Sequence, residues 1–577
     1  MKESRLRMAV NDLLKKKEPP RTVALDTPWS EQPEIPWNEY PRPQLRRDSF
    51  FCLNGRWSFA VNGEDRGDIL VPYPPESKLS GAAAPEIGDQ LTYEREFTLP
   101  AGFRKGRVIL HFGAVDQECT VYLNDIELGS HVGGYLPFSF DVTEQLRERN
   151  TLRVIVFDPL DTDLPYGKQR KDRGGMWYTP VSGIWQTVWM ESVPENHIRG
   201  VKLEPSLDSV VITVDGSGPF TVECDGKIYR PKTNRFRIRP ENPRLWTPEE
   251  PNLYTVVVRN CDDAVETYFA LRRIESKKVG KHQRLLLNGK PYFFHGMLDQ
   301  GYWPDGLFLP GSPEGYSWDI RTMKELGFNT IRKHIKIEPE RFYYDCDRLG
   351  MIVFQDLVNS GPYHYLRDTA IPTIGGKLTT YHETPSERRR TFFLTHGEQT
   401  LAHLHNHPCI LLYTLFNEGW GQHDTQNLYR HFKALEPGRV WNAASGWFKN
   451  SDSDVQSEHI YFGSLRMKAQ GRRPLLLTEF GGYSWPIEGH RFNLDEEYGY
   501  QKYRSREEFQ GALSRLYREE ILPQVATGLC GAILTQLSDV EDETNGLVTY
   551  DRRIVKADPA EMTAIVGALQ ANMIPQP

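Results

Sequence analysis

Between about Trp57 and Met190, apolar and polar residues alternate in short runs broken by turn residues, the period-two signature of half-buried strands in a sandwich. In CTVYLNDIEL the pair Asn124-Asp125 predicts a hairpin turn. Leu152, Val154 and Val156 mark one face of a run that Asp158-Pro159 ends. A second β-rich stretch, Pro194 to Ile274, carries SVVITVDG, RFRIRP and NLYTVVV with Pro and Gly between them. It has the size of an immunoglobulin-like sandwich, without the disulfide hallmark.

After Lys277 the period changes. Glu314 to Leu326 predicts a helix that stops at Gly327 and is followed by FNTIRKH as a strand. Pro339 to Leu349, Gly350 and MIVFQD repeat that order, and so do EFQGALSRLYREEILPQV, Gly528 and CGAILTQ. Helices alternating with apolar strands over some 300 residues predict a parallel (β/α)8 barrel. Its eight strands are read as YFFHGML, NTIRKH, MIVFQD, ILLYTLFNE, VWNAAS, the stretch through HIYF, LLLTEFGG and GAILTQL.

Barrel chemistry collects where the strands end. Two apolar strands end on carboxylates, Glu418 in LLYTLFNEGWGQ and Glu479 in LLLTEFGG. Carboxyl groups about 5–5.5 Å apart across a bound sugar act as nucleophile and acid/base of a retaining glycosidase. Like charges at that range split their pKa values, so one can stay protonated near neutrality. The alternative is that each Glu pairs with a basic neighbour at the barrel rim.

Composition narrows the classes. The 577 residues suggest roughly three or four units. A net charge of −7, spread without a basic stripe, argues against nucleic acid as partner. Met1 to Pro20 lacks the apolar core of a secretory signal and no segment has 18 consecutive apolar residues, so neither membrane insertion nor export is expected, and the reading is cytoplasmic. Seven scattered Cys, with no CxxC, are expected to be reduced and mostly buried.

FNEGWGQ (416–422), TEFGG (478–482), LNGKPYFFHG (287–296), PVSGIWQTVW (180–189) and LWTPEEPNLYTV (245–256) resemble, in order, motifs of the family 2 glycoside hydrolases: β-galactosidases, β-glucuronidases and β-mannosidases. The resemblance spans almost the whole chain. It implies an N-terminal arm over 1–40, a jelly-roll sugar-binding domain over 41–193, an immunoglobulin-like domain over 194–276 and a catalytic barrel over 277–577. It also implies Glu418 as acid/base, Glu479 as nucleophile, Asn417 as a hydrogen-bond partner of the sugar 2-OH and Tyr461 as the residue that hydrogen-bonds and orients the nucleophile. His334 is expected to contact sugar hydroxyls, Asp299 and Gln300 to face the glycone, and Trp447 or Trp485 to offer an apolar platform, as Trp420 also could.

The chain also departs from the family. The usual Trp at the tip of strand eight is replaced by Thr535-Gln536, and the Asn-x-Lys that binds the carboxylate in β-glucuronidases is absent, with Glu543-Thr544-Asn545 before GLVTYDR. That disfavours a glucuronide unless Arg170, Lys171, Arg173 or Lys556 supplies a cation. His423 and Asp424 lie near the acid/base, but no metal-ligand set at recognisable spacing emerges, so neither a metal nor another cofactor is expected in the chemistry. The charged loop 161–178 can reach the site through Asp163, Lys168 or Asp172, or be a solvated loop. His403, His405 and His407 suggest a zinc site only if extended, whereas their segment reads as the tail of a helix. The sequence therefore predicts an exo-acting retaining glycosidase, first a β-galactosidase, with β-glucuronidase, β-mannosidase and α-L-arabinofuranosidase open. Its partner is a glycoside substrate, a homo-oligomer is left open, and a carbohydrate-binding protein without catalysis is the alternative from another class.

Overall fold

The computed structural model describes residues 20–365, 367–368, 384–448 and 452–573. Most of the N-terminal segment on which the localisation reading rests lies outside the described residues.

Alternation in the first third builds two packed sheets. A six-stranded sheet contains Gly55–Val61, Gln90–Phe97, Asn150–Phe157 and Glu118–Leu123 among its members, and a four-stranded sheet contains Arg107–Phe112 and Val188–Val193. Leu152, Val154 and Val156 are fully buried between the sheets with Trp57, Leu110 and Met190, while Arg153 and Ile155 point to the other face. Asn124 and Asp125 adopt φ of 54° and 66°, the left-handed pair of a type I′ hairpin turn joining Leu123 to Ile126. A second sandwich pairs a three-stranded sheet with a four-stranded one around Val210, Ile212, Val256 and Val258.

The barrel strands are β1 (Phe294–Asp299), β2 (Thr330–Lys333), β3 (Ile352–Asp356), β4 (Ile410–Asn417), β5 (Val440–Ser445), β6 (Gln456–Ile460), β7 (Leu475–Gly481) and β8 (Leu529–Thr535). All paired strands are parallel, in the order 5-4-3-2-1-8-7-6, and the end strands β5 and β6 lie side by side to close the ring. These strands are buried on both faces because side chains fill the barrel on one side and helices cover the other. Helices Glu314–Glu325, Glu340–Leu349, Glu387–Leu404 and Thr425–Leu435 follow β1 to β4. Among the described residues the β5–β6 and β6–β7 connections carry no helix, so the regular alternation predicted from the sequence lapses there.

Gly350 ends its helix at φ 76°, and a Cβ there would sit 2.4 Å from the Pro248 carbonyl of the second sandwich. The glycine thus serves both the helix stop and the domain contact. At the opposite end of the barrel, Arg284 closes the floor by donating to the carbonyls of Leu529 and Val525.

The three histidines of AHLHNHP do not converge. His405 pairs with Glu436 and His407 with Asp347, while His403 lies in the last helical turn. All seven cysteines are free, and only Cys261 is exposed. Among the described residues no helix is long and apolar enough to cross a membrane.

Candidate active site

The strand β4 stops because its next residue leaves the extended region. Glu418 has φ 55° and still donates its backbone N–H to Ser445 at the end of β5. Gly419 and Gly421, both at positive φ, complete the turn, and a Cβ on either would collide with the Phe448 ring or the Ser360 carbonyl. This turn aims the Glu418 side chain across the barrel mouth toward β6 and β7.

There Nδ1 of His459, on β6, lies 2.7 Å from Oε1 of Glu418. Glu479, within β7, accepts from Arg332 Nη1 at 2.9 Å and from the Tyr461 hydroxyl at 2.5 Å. One carboxylate oxygen from each glutamate and the His459 nitrogen all lie within 4.8 Å of one another. The same spacing can hold a metal ion, but Glu479 already has a cation in Arg332 and Glu418 already has a partner in His459. The donor set therefore fits a charge-compensated carboxylate pair better than an open metal cage.

The two acids sit in different electrostatic surroundings. Burial pushes the Glu418 carboxyl up to about 7, against the opposing pull of the Lys168 and Arg332 charges. Glu479, in contrast, is ion-paired to a guanidinium that is only 1% exposed. One protonated acid beside one cation-bound carboxylate is the asymmetry that a double displacement needs.

Arg332 organises the floor of the site. It donates to both oxygens of Asp356 at 3.0 and 3.1 Å, to the Thr478 carbonyl at 3.1 Å, to Asn417 Oδ1 at 2.9 Å and to Ser445 Oγ at 3.1 Å. Burial opposes its charge, yet Asp356 and Glu479 outweigh that and hold its pKa above the ordinary range. Because Asn417 Oδ1 accepts from Arg332 and from Ser445 at 2.6 Å, the amide is fixed, and among the described residues its NH₂ has no acceptor and can donate outward.

The other expected residues fall into two groups. Tyr461 and His334 join the network: Tyr461 reaches Glu479 and, at 2.9 Å, Thr535 Oγ1, while His334 Nδ1 is 2.8 Å from Asp356. Burial pushes His334 down to about 4, so it is neutral near pH 7. Trp447 stands edge-on to His459 and donates its indole N–H to the Asp368 carbonyl. Asp299 is instead bound to Lys333 at 2.5 Å, within a buried ion cluster that includes Glu338 and Lys336. Gln300 donates to Gln536, and Trp485 packs on Phe509, with no contact to either glutamate among the described residues. Trp420 packs edge-on against Tyr166 and Trp177, so the jelly-roll domain meets the barrel directly behind Glu418.

Arg332 and His459 carry as much of this site as the glutamates, and neither was singled out from the sequence. The available signal was the charged pair Arg332-Lys333 in the TIRK strand, read as buried, and an imidazole two residues before Tyr461. The expected Trp position at the tip of β8 holds Gln536, which donates to Glu543 and Asn545 and receives from Gln300. Of the alternative cations, Lys556 is spent on Asp539 and Thr544, and Arg173 on Glu541 and Asp542.

The chain thus combines a jelly-roll, a second sandwich and a (β/α)8 barrel with paired glutamates at the mouth of the barrel. Residues 82–205 match the glycosyl hydrolase 2 galactose-binding domain-like family, 196–272 the glycosyl hydrolases family 2, and 278–557 its TIM barrel domain. The chain belongs to glycoside hydrolase family 2.

Among its curated relatives, a β-galactosidase of Thermoanaerobacter pseudethanolicus is 23% identical over 440 residues, covering 69% of this chain and 54% of the relative. A β-glucuronidase of Felis catus is 24% identical over 495 residues, covering 73% and 72%. The chain thus spans about half the length of the first of these. A solved β-glucuronidase from an uncultured Clostridium sp. superposes with a TM-score of 0.71 at 19% identity, covering 92% of this chain and 99% of the other. A β-galacturonidase from Eisenbergiella tayi bound to galacturonate gives 0.67 at 19%, covering 93% and 99%. At such identities the likeness shows the shared fold.

Proposed function

We propose that the protein is a retaining exo-glycosidase. Glu479 attacks the anomeric carbon while Glu418 gives its proton to the departing glycosidic oxygen, forming a glycosyl ester and a free aglycone. Glu418, now ionised, takes a proton from water as that water's oxygen attacks the anomeric carbon, which frees the sugar with its configuration retained and returns Glu479 to carboxylate. The Asn417 NH₂ donates to the 2-OH, a contact that tightens as the oxocarbenium-like transition state develops.

The observation that carries this reading is the approach of the Glu418 and Glu479 oxygens to within 4.8 Å, which suits direct attack by Glu479 and is too short for a water between that carboxylate and the anomeric carbon. Incubation with a 2-fluoro glycoside followed by peptide mass spectrometry is expected to find the sugar on Glu479, and NMR to find the retained anomer first. Label elsewhere, or inversion, would overturn the mechanism. Unchanged sugar binding with no turnover in the wild type would point instead to a carbohydrate-binding protein.

The relatives are named for β-galactosides as well as β-glucuronides, so the family supports either glycone. A β-galactoside is the first expectation from the sequence. The charge at the barrel mouth favours the second reading.

A further inference from the structure

The loop 161–178 of the jelly-roll domain is clamped onto the barrel rim beyond β3. The backbone N–H groups of Tyr166 and Gly167 donate to the Asn359 carbonyl at 3.2 and 3.4 Å, and the Tyr166 hydroxyl donates to the Gly361 carbonyl at 2.9 Å. Gly167 has φ 69°, and a Cβ there would lie 2.6 Å from the Tyr135 hydroxyl and 3.0 Å from the Ile335 carbonyl. The residue after this clamp is Lys168, whose position is set by backbone rather than by chance packing.

The Lys168 ammonium lies 5.3 Å over the ring of Trp177, which packs edge-on against Trp420 behind Glu418. Among the described residues it has no hydrogen bond and no carboxylate within ion-pair distance. The charged side chains whose fields reach it are Glu543 first, then Glu479, Glu418 and Arg332, so it stands within electrostatic reach of both glutamates and of the acid that follows β8. The neighbouring buried cations are all spent: Arg332 on Asp356 and Glu479, Lys333 on Asp299, Lys556 on Asp539. Glu543 is spent as well, accepting from Tyr178 with one oxygen and from Gln536 and Asn545 with the other.

Ring geometry says which part of a sugar meets this cation. β4 and β8 stand on opposite sides of the barrel. With C1 at Glu479 and the 2-OH at Asn417 on the β4 side, C5 lies across the ring oxygen, toward β8. A partly desolvated ammonium there gains far more from an anion than from a hydroxyl.

Resting on the glycosidase reading above, we propose that Lys168 is the specificity-determining residue of this site and reads a carboxylate on C5 of the glycone, which makes the substrate a hexuronide rather than a neutral hexoside.

The test is the ratio of kcat/KM for nitrophenyl β-D-glucuronide or β-D-galacturonide to that of the matching neutral β-D-glucoside or β-D-galactoside, measured on the full chain. The wild type is expected to favour at least one uronide by about 10²-fold, the worth of a charge-assisted contact. In Lys168→Met that ratio should collapse by a similar factor, whereas Lys168→Arg keeps most of it. A wild type that prefers the neutral sugar, or a Met variant whose ratio stays within about threefold, overturns the proposal. If the Met variant does not fold, competition of free glucuronate and galacturonate against glucose and galactose on the wild type decides it, with tighter binding of neither acid overturning it. Turnover of neutral glycosides alone sinks this inference and leaves the glycosidase reading standing, whereas no turnover of any glycoside sinks both.

Discussion

The His459 imidazole and the Glu418 carboxyl form a contact of 2.7 Å, with the same nitrogen 3.6 Å from Glu479. The imidazole thus fixes the lateral position of the acid/base relative to the nucleophile. His459→Ala leaves the buried Glu418 carboxyl without this hydrogen-bond partner, a cost of about 1–3 kcal/mol, so kcat should fall by roughly 5–100-fold. Steady-state kinetics should place the loss in kcat rather than KM, since the contact lies on the acid and not on the sugar.

Glu418 works as an acid only while protonated, and burial sets its pKa at about 7. The kcat/KM profile should therefore decline as pH rises through about 7. Lys168 opposes that elevation because a nearby cation favours the ionised carboxylate. Lys168→Met should accordingly shift the alkaline limb to higher pH, as read from kcat/KM profiles on the best remaining substrate.

Arg332→Met leaves Asp356 and Glu479 buried without their cation, which should cost about 3–5 kcal/mol of stability in thermal or denaturant unfolding. The deficit should depend on pH. Burial would raise the Asp356 pKa, but Arg332 and His334 hold it below the ordinary carboxylate value. Its contribution is therefore present above the unfolded pKa of about 4 and is lost as pH falls through the folded value. Wild type and variant should differ most near neutrality and converge in acid.

Gly446 follows β5 at φ 77°, and a Cβ there would stand 2.9 Å from His459 Nδ1 and 3.3 Å from Glu418 Cγ. Gly446→Ala should displace the acid/base pair while costing only about 1–2 kcal/mol for the left-handed backbone. Activity is expected to drop at least tenfold, with circular dichroism showing an otherwise native fold.

How much of this was legible depends on the range over which each feature is decided. The Asn124-Asp125 turn, the helix stops at Gly327 and Gly350 and the eight barrel strands follow from periodicities a few residues long. The lapse of helices between β5 and β7 was missed because short apolar strands with polar connections look alike whether or not a helix intervenes. Asp299 sits at a strand tip as expected, but its neighbour in space is Lys333 on β2, which makes it half of an ion pair.

By itself the sequence determined that Glu418 and Glu479 stand at the ends of apolar strands, beside an amide and a run of glycines, and that two sandwiches precede them. Only the tertiary structure decided what those carboxyls can do. Their separation, the burial that lifts Glu418, the guanidinium under Glu479 and the ammonium of Lys168 over Trp177 arise when barrel closure and a loop from another domain bring distant residues together. Electrostatic energy depends on distance and desolvation in space, and neither is written into spacing along the chain.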